Sequence, residues 1–145
     1  MAMVGLVLLA HDTLAKSFLQ VLQYIVGPQE QILALGVEQN KKAEKVEREL
    51  DRALKQVNSG EGVVILTDLF GGSAEHFSLA RMLAGKVEVV SGMNLAMLLK
   101  AVDLRSRDLS DPAVLARAVA REGRENIVMA SEILGQKKNE APKGR

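Results

Sequence analysis

The sequence contains no cysteine and no tryptophan, and only 3% of its residues are aromatic. The absence of cysteine excludes disulfide bonds and thiolate metal sites. The scarcity of aromatic side chains leaves few platforms on which nucleic-acid bases could stack. The formal net charge is +1 and basic residues are spread among acidic ones, so no basic patch indicates a nucleic-acid partner.

Long apolar runs are also missing. None approaches the roughly 18 to 20 residues that a membrane-spanning helix needs, so we expect no direct membrane insertion. The opening stretch MAMVGLVLLA has a short apolar run and no basic leading segment, which favours a buried strand over a secretion signal. At 145 residues, of which 48% are hydrophobic, the chain fits one globular domain with a substantial core.

The sequence does contain a regular alternation of short apolar runs and amphipathic stretches. The alternation predicts strands over residues 4–10, 32–35, 63–66 and 87–90, and helices over residues 13–26, 41–57, 73–83 and 95–102. Asp111 followed by Pro112 is typical of a helix start, and that helix is expected to run to about Glu122 and to end near Gly123. This order favours a three-layer α/β/α fold with a mostly parallel sheet of four strands.

The C-terminal part continues the pattern once more and then loses it. Residues 127–130 form a fifth short apolar run, which predicts a fifth strand, parallel or antiparallel to the others. Residues 135–145 (GQKKNEAPKGR) carry four basic residues, one acid and no hydrophobic period, which is typical of a flexible tail. The domain is therefore expected to cover residues 1–134.

Candidate site residues, most of them polar, follow three of the predicted strands at their carboxyl ends. His11 and Asp12 follow the first strand, Asp68 follows the third, and Met93 and Asn94 follow the fourth. Parallel strands bring these loops to one edge of the sheet, which is where open α/β proteins place their sites. The sequence therefore predicts a functional site at this edge.

His11 and Asp68 each allow two interpretations. His11, one of two histidines in the chain, is either a residue at the edge of the sheet that caps the first helix or a nucleophile. Asp68 either caps a turn or accepts a hydrogen bond from the His11 ring, which would fix the tautomer and the orientation of the imidazole. No ligand spacing joins Asp68 to His76, and we expect no metal site.

Gly71, Gly72 and Ser73 open the third predicted helix. The glycines allow backbone N–H groups to approach an anion closely, and a helix start favours negative charge. The alternative is an ordinary turn between strand and helix, with Ser73 as the N-cap. The spacing is neither a dinucleotide fingerprint nor a P-loop, and the nucleophile elbow of serine hydrolases is absent. An imidazole, an orienting carboxylate and a phosphate-binding helix start together favour a phosphohistidine carrier.

Four stretches of the chain carry a family resemblance: GLVLLAHDTLA, IVGPQEQILAL, GVVILTDLFGGS and VEVVSGMNLAMLLKA. Over roughly residues 4–134 the sequence resembles the mannose-family enzyme IIA domain of the bacterial phosphoenolpyruvate-dependent sugar phosphotransferase system. The resemblance implies that His11 accepts a phosphoryl group from an HPr-type carrier and passes it to a IIB-type partner. This is phosphotransferase activity of the protein-Nπ-phosphohistidine–sugar type, and it needs no cofactor.

The same resemblance implies roles for the other site residues. Asp68 is expected to orient the imidazole, and Gly71, Gly72 and Ser73 are expected to bind the phosphate. The residues expected at the pocket rim or against a partner are Asp12, Phe70, Met93 and Asn94. The resemblance also implies a cytoplasmic homodimer in which residues 127–130 form a strand exchanged between the subunits.

The sequence departs from the family pattern at four positions. Asp12, Ala74, His76 and Ala96 stand where the family usually has glycine, proline, asparagine and proline, respectively. The Asp12 carboxylate either repels a phosphoryl group on His11 or points outward and caps the first helix. His76 either faces the pocket or lies on the surface.

Three other functions remain open at this level. The chain is also compatible with a regulatory binding module whose phosphorylation state controls a partner. It is compatible with the related domain of the dihydroxyacetone kinase phosphodonor, which shares the fold and the histidine chemistry. A degenerate member, in which Asp12 has ended phosphorylation, is the fourth interpretation.

Overall fold

The protein forms one four-stranded parallel sheet with helices on both faces, as the computed structural model shows for residues 2–140, with side chains described through residue 135. The strands are β1 (Gly5–His11), β2 (Ile32–Val37), β3 (Val63–Thr67) and β4 (Val87–Ser91). The helices are α1 (Leu14–Val26), α2 (Ala43–Val57), α3 (Ser73–Leu79), α4 (Leu95–Arg105), α5 (Pro112–Glu125) and α6 (Ala130–Glu140). The predicted three-layer α/β/α fold with four parallel strands is confirmed.

Strand β1 is apolar at successive positions because both of its faces are covered. Leu6 and Leu8 belong to the core that the sheet shares with α1, α4 and α5. Val7 and Leu9 belong to the opposite core, which the sheet shares with α2 and α3. Side chains alternate between the two faces of a strand, so a strand in the middle layer needs apolar residues at both parities.

The order of the strands positions the functional edge. The sheet runs β2-β1-β3-β4, so β1 and β3 are neighbours and the chain leaves them toward opposite edges of the sheet. Such a reversal opens a crevice at the carboxyl ends of the two central strands. His11 is the last residue of β1, and Asp68 directly follows β3. The fold therefore brings two residues 57 positions apart to one place.

Two helices end at residues other than the predicted ones. Helix α3 was expected to reach residue 83 but ends at Leu79, because the backbone of Leu83 pairs with Val87 in both directions and turns the chain into β4. Helix α5 continues past Gly123 to Glu125. A Cβ at Gly123 would lie 2.6 Å from the Met97 sulfur, so this glycine allows α4 and α5 to pack closely and does not end the helix.

The C-terminal part differs most from the prediction. Residues 127–129 form no strand in the single chain, and Ala130 begins helix α6, which runs to Glu140. A strand forms only where its backbone makes hydrogen bonds to a neighbouring strand, and no strand of the described chain lies beside this apolar run. The segment 135–140, predicted as the start of a flexible tail, is helical, and residues 141–145 lie outside the described residues. No helix in the described part of the chain is long and apolar enough to cross a membrane.

Candidate functional site

His11 and Asp68 form a direct pair at the carboxyl edge of the sheet. The His11 Nδ1 lies 2.7 Å from Asp68 Oδ2, and the His11 backbone N–H donates to the same oxygen at 3.0 Å. The side chain of Asp68 is only 10% exposed, whereas that of His11 is 46% exposed. The pair therefore consists of a shielded carboxylate and an imidazole that is accessible to another protein.

This geometry selects the tautomer of the imidazole. Burial raises the pKa of Asp68, but hydrogen bonds from the backbone and the ring of His11 lower it, and the pKa lies below its ordinary value. An ionised carboxylate can only accept, so Nδ1 carries the proton and donates it to Asp68. The other ring nitrogen, Nε2, then holds the free electron pair, which is what a nucleophile requires.

The loop that follows Asp68 lies against the imidazole. A Cβ at Gly72 would be 3.2 Å from His11 Cε1, so only glycine allows this close approach without displacing the ring. Gly72 is also the N-cap of α3, with no side-chain capping bond, and Ser73 is the first helical residue. The alternative interpretation of Ser73 as the N-cap is therefore wrong.

The N–H groups of the two glycines are already used within the loop. Gly71 N–H donates to Glu75 Oε1 at 2.7 Å, and Gly72 N–H donates to the Leu69 carbonyl at 3.3 Å. The first intrahelical bond of α3 is donated by His76 to the Gly72 carbonyl. The N–H groups of Ser73 and Ala74 come before that bond, but Ala74 is fully buried, whereas Ser73 is exposed and lines the cleft beside His11.

Met93 and Asn94, predicted at the pocket rim, make contacts with the helix layer. Met93 is 6% exposed and belongs to the core with α1, α4 and α5. Asn94 caps α4, since its Oδ1 accepts from Met97 N–H at 3.0 Å while its Nδ2 donates to the Gly123 carbonyl. The strand end directs both residues toward the helix layer, and a role for them at the pocket rim or against a partner stays a prediction.

Phe70 is exposed in the loop that follows β3. Its side chain is 81% exposed, and its neighbour Leu69 is 58% exposed. Leu14, the first residue of α1 and three positions after His11, is 42% exposed. Large apolar side chains exposed next to a reactive group are typical of a surface that contacts another protein.

Asp12 adopts a left-handed backbone conformation, with φ of 51°. Aspartate tolerates this region better than most residues other than glycine, which explains how it occupies a position where the related family has glycine. Thr13 is the N-cap of α1 and no side chain makes a capping bond there, so the expectation that Asp12 caps this helix is wrong. His76 is exposed and packs edge-on against Phe77, with ring centroids 5.8 Å apart, so it lies on the surface.

A cleft of about 590 Å³ opens beside the imidazole. It is lined by His11, Asp12, Val37, Glu38, Gln39, Lys41, Ala43, Val46, Ser73 and Phe77. Lys41 is fixed at its floor, because its Nζ donates to the Gly36 carbonyl and to Glu49, each at 2.9 Å. Its charge is therefore already paired, and no periodic pattern in the sequence indicates these contacts.

Comparison with known proteins then identifies the family. Residues 5–119 match the family model EIIA-man, described as the PTS system fructose IIA component. The chain belongs to this enzyme IIA family of the phosphotransferase system. Members of the family are phosphoryl carriers that work with HPr-type donors and IIB-type acceptors, so the predicted family resemblance is confirmed.

Individual relatives of this IIA chain agree with that assignment. It is 27% identical, over 126 residues, to the PTS system mannose-specific EIIAB component of Escherichia coli K12, and the match covers 86% of this chain but 38% of that protein. Among solved structures, the EIIA component from Streptococcus agalactiae has a TM-score of 0.80 and 28% identity, covering 90% of this chain and 99% of the other. The mannose/sorbose-specific IIA subunit from Enterococcus faecalis, at 23% identity and a TM-score of 0.76, covers 89% of this chain and 95% of its own, and shares the fold.

Proposed function

We propose that this IIA chain is a phosphoryl carrier that uses His11 Nε2 as its nucleophile. The observation that carries the proposal is the 2.7 Å hydrogen bond between His11 Nδ1 and Asp68 Oδ2. That bond leaves the electron pair on Nε2, and the 46% exposure of the side chain leaves it accessible to a donor protein. The donor is an HPr-type phosphohistidine and the acceptor is a IIB-type protein, which together give a protein-Nπ-phosphohistidine–sugar phosphotransferase activity in the cytoplasm.

In the forward step, Nε2 attacks the phosphorus of the donor phosphohistidine. A bond forms between Nε2 and phosphorus while the bond between phosphorus and the donor nitrogen breaks, and its electron pair remains on the donor ring. The imidazole of His11 gains positive charge because it has given its electron pair away and still holds the proton on Nδ1. The carboxylate of Asp68 stabilises that charge in place, without reorganisation during the reaction. Transfer to the acceptor reverses these bond changes.

Ser73 is the residue that we expect to bind the phosphoryl oxygens, through its N–H and its hydroxyl. Its N–H precedes the first intrahelical bond of α3, and Ser73 shares the cleft with His11. Gly71 and Gly72, which the sequence also predicts as phosphate-binding residues, are less suited to that role because their N–H groups already have acceptors. The role of Gly72 is to let the loop approach the ring.

The partners are expected to dock on the apolar side chains around the imidazole. Leu14, Leu69 and Phe70 are exposed at the ends of β1 and β3. Donor and acceptor must each reach the same Nε2, so they use the same surface in turn and not at once. We expect Phe70, the most exposed of the three, to contribute most to binding.

We also propose that the chain forms a homodimer in which residues 127–130 exchange as a strand. Strand β4 lies at the edge of the sheet, and beyond the bridge between Val87 and Leu83 no strand of the described chain pairs with its outer side, which makes it a template for another strand. Ile127, Val128 and Met129 are 78%, 59% and 63% exposed in the single chain, which is unusual for three successive apolar residues. Pairing this run with β4 of a second copy would cover both features.

Labelling with phosphate tests the function. Incubation with phosphoenolpyruvate, enzyme I and an HPr-type carrier is expected to add an acid-labile group of about 80 Da to the chain. The label should be absent from His11→Ala and much reduced in Asp68→Ala, because Asp68 holds the reactive tautomer.

His76→Ala provides the matched control, since His76 is the other histidine and is exposed. It should be labelled like the unmodified chain. A label that survives His11→Ala, or that disappears in His76→Ala, would overturn the site. Label that is accepted on His11 but never passed to a IIB-type protein would instead support the regulatory alternative.

A further inference from the structure

Glu75 is a buried carboxylate that the transfer mechanism above does not use. Its residue exposure is 5%, although charged side chains are almost never buried without a partner. Its Oε1 accepts from Gly71 N–H at 2.7 Å, and its Oε2 accepts from the Ser91 hydroxyl at 2.6 Å. Among the described residues, no cation forms a salt bridge with it.

The hydrogen bonds of Glu75 belong to a continuous chain behind the site. The Thr67 hydroxyl, at the end of β3, donates to the Ser91 oxygen at 2.9 Å, and Ser91, at the end of β4, donates to Glu75. Glu75 then holds Gly71. This chain connects the ends of two rigid strands to the loop that carries Gly72 against the imidazole.

The loop itself has little else to fix it. Leu69 and Phe70 are largely exposed, and two successive glycines give the backbone high conformational freedom. The bond from Gly72 N–H to the Leu69 carbonyl, at 3.3 Å, is long. A short hydrogen bond from Gly71 to a buried carboxylate is the strongest constraint on its conformation, because hydrogen bonds to charged groups exceed neutral ones in strength.

We infer that Glu75 is a positioning residue for phosphoryl transfer, an inference that rests on the proposed function. It acts through Gly71, and it holds the loop so that Gly72 stays against His11 and Ser73 faces the phosphoryl group. A buried carboxylate costs desolvation that an apolar residue of similar size would avoid, so a purely structural need would be met better by leucine. The position of Glu75 at N3 of α3 is typical of a capping glutamate, and here it reaches one residue further back, to Gly71.

Two substitutions of Glu75 distinguish the effect of its hydrogen bonds from the effect of its volume. Glu75→Gln keeps an oxygen for Gly71 N–H, and its amide can donate to the Ser91 oxygen. Glu75→Leu keeps the volume and removes both bonds. Ser78→Ala is the matched control, because Ser78 is buried in the same helix and bonds only the Ala74 carbonyl.

Each variant is measured in two ways. Hydrogen exchange of the Gly71 amide, followed by NMR in the unphosphorylated chain, reports the order of the loop without any partner. The rate of phosphoryl transfer from a phosphorylated HPr-type carrier, measured against carrier concentration, separates the maximal rate from the half-saturating concentration.

The inference predicts a specific pattern. In Glu75→Leu the Gly71 amide exchanges about tenfold faster and the maximal transfer rate falls about tenfold, while the half-saturating concentration stays the same. Glu75→Gln stays within about threefold of the unmodified chain in both measurements, and Ser78→Ala does not differ from it. If Glu75→Leu does not fold, Ser91→Ala replaces it, because it frees the carboxylate from β4 and should also accelerate exchange at Gly71.

Three results would overturn the inference about Glu75. A folded Glu75→Leu chain with a protected Gly71 amide or an unchanged maximal rate would overturn the inference, as would a Gln variant as slow as the Leu variant. If Ser91→Ala is the variant used, an unchanged exchange rate would do the same. Failure of the proposed function would give a different result, since the unmodified chain would then accept no phosphate. The exchange rate of the Gly71 amide would still report the order of the loop.

Discussion

At the scale of single residues, Asp12 is the carboxylate that distinguishes this site from its family. It adjoins His11 in sequence, lines the same cleft, and keeps φ at 51°. A phosphoryl group on His11 adds about two negative charges next to it. Two unit charges about 4 Å apart repel by roughly 1 kcal/mol in water, which corresponds to about a fivefold change in an equilibrium constant. Asp12 should therefore favour passing the phosphoryl group on.

The substitution Asp12→Asn tests this effect of charge. Asparagine also tolerates a positive φ, so the backbone is kept and only the charge is removed. At a fixed ratio of phosphorylated to free HPr-type carrier, we expect the phosphorylated fraction of the variant to rise, by about fivefold in the equilibrium constant. Phosphate-specific gel separation measures that fraction.

Asp108→Asn is the matched control, because Asp108 is also exposed and has φ of 65° but lies in the connection between α4 and α5. It should leave the equilibrium unchanged. An Asp12→Asn variant with the same equilibrium as the unmodified chain would show that this charge does not reach the phosphoryl group.

At the scale of elements, Arg105 joins the end of α4 to the sheet. It is 3% exposed, and its guanidinium donates to the backbone carbonyls of Val4, Glu30 and Gln31 at distances between 2.6 and 3.2 Å. Burial lowers the pKa of Arg105 to about 10, so the side chain is still charged at neutral pH. These bonds connect α4 to the backbone at the starts of β1 and β2.

Arg105→Ala is expected to lower the free energy of unfolding by roughly 2 to 4 kcal/mol, because it removes the charged hydrogen bonds to three backbone carbonyls and leaves a cavity where a buried side chain was. Chemical denaturation measures this change. Arg107→Ala serves as the control: its side chain is 73% exposed and pairs with Asp103 one turn away, so its loss should cost less than about 0.5 kcal/mol. Equal losses in the two variants would contradict the role of Arg105.

Elements that have a local sequence pattern could be predicted from the sequence, and features that depend on contacts between distant residues could not. The four strands are apolar at both parities, and His11 and Asp68 were placed together because parallel strands share a carboxyl edge. The early end of α3 depends on backbone pairing between Leu83 and Val87, which no local pattern indicates. The core packing of Met93 and the capping bond of Asn94 could not be predicted, because position after a strand does not tell which way a side chain turns. Glu75 was missed although its N3 position in α3 is visible in the sequence.

At the scale of the whole molecule, the outer edge of β4 beyond Val87 and the exposed apolar run at residues 127–129 predict a dimer. Light scattering coupled to gel filtration should give a mass twice the 15.7 kDa of the chain. Val128→Asp should shift the protein toward the monomer, because a charge cannot be buried in the exchanged strand without a partner.

Val21→Asp is the control, since Val21 is an apolar residue on α1 with 44% exposure. It should leave the dimer intact. A monomeric unmodified chain, or a dimer that Val21→Asp disrupts and Val128→Asp does not, would contradict the exchange of this strand.

The ring nitrogen that carries the phosphate is the most direct test of the account. Nitrogen–proton correlation spectra of a chain labelled with ¹⁵N in its histidines report the protonation and the phosphorus coupling of each ring nitrogen. Before transfer, we predict that His11 is protonated at Nδ1 with Nε2 free, and after transfer, that phosphorus couples to Nε2 while Nδ1 keeps its proton. Phosphorus on Nδ1 of His11, or on either nitrogen of His76, would contradict the account.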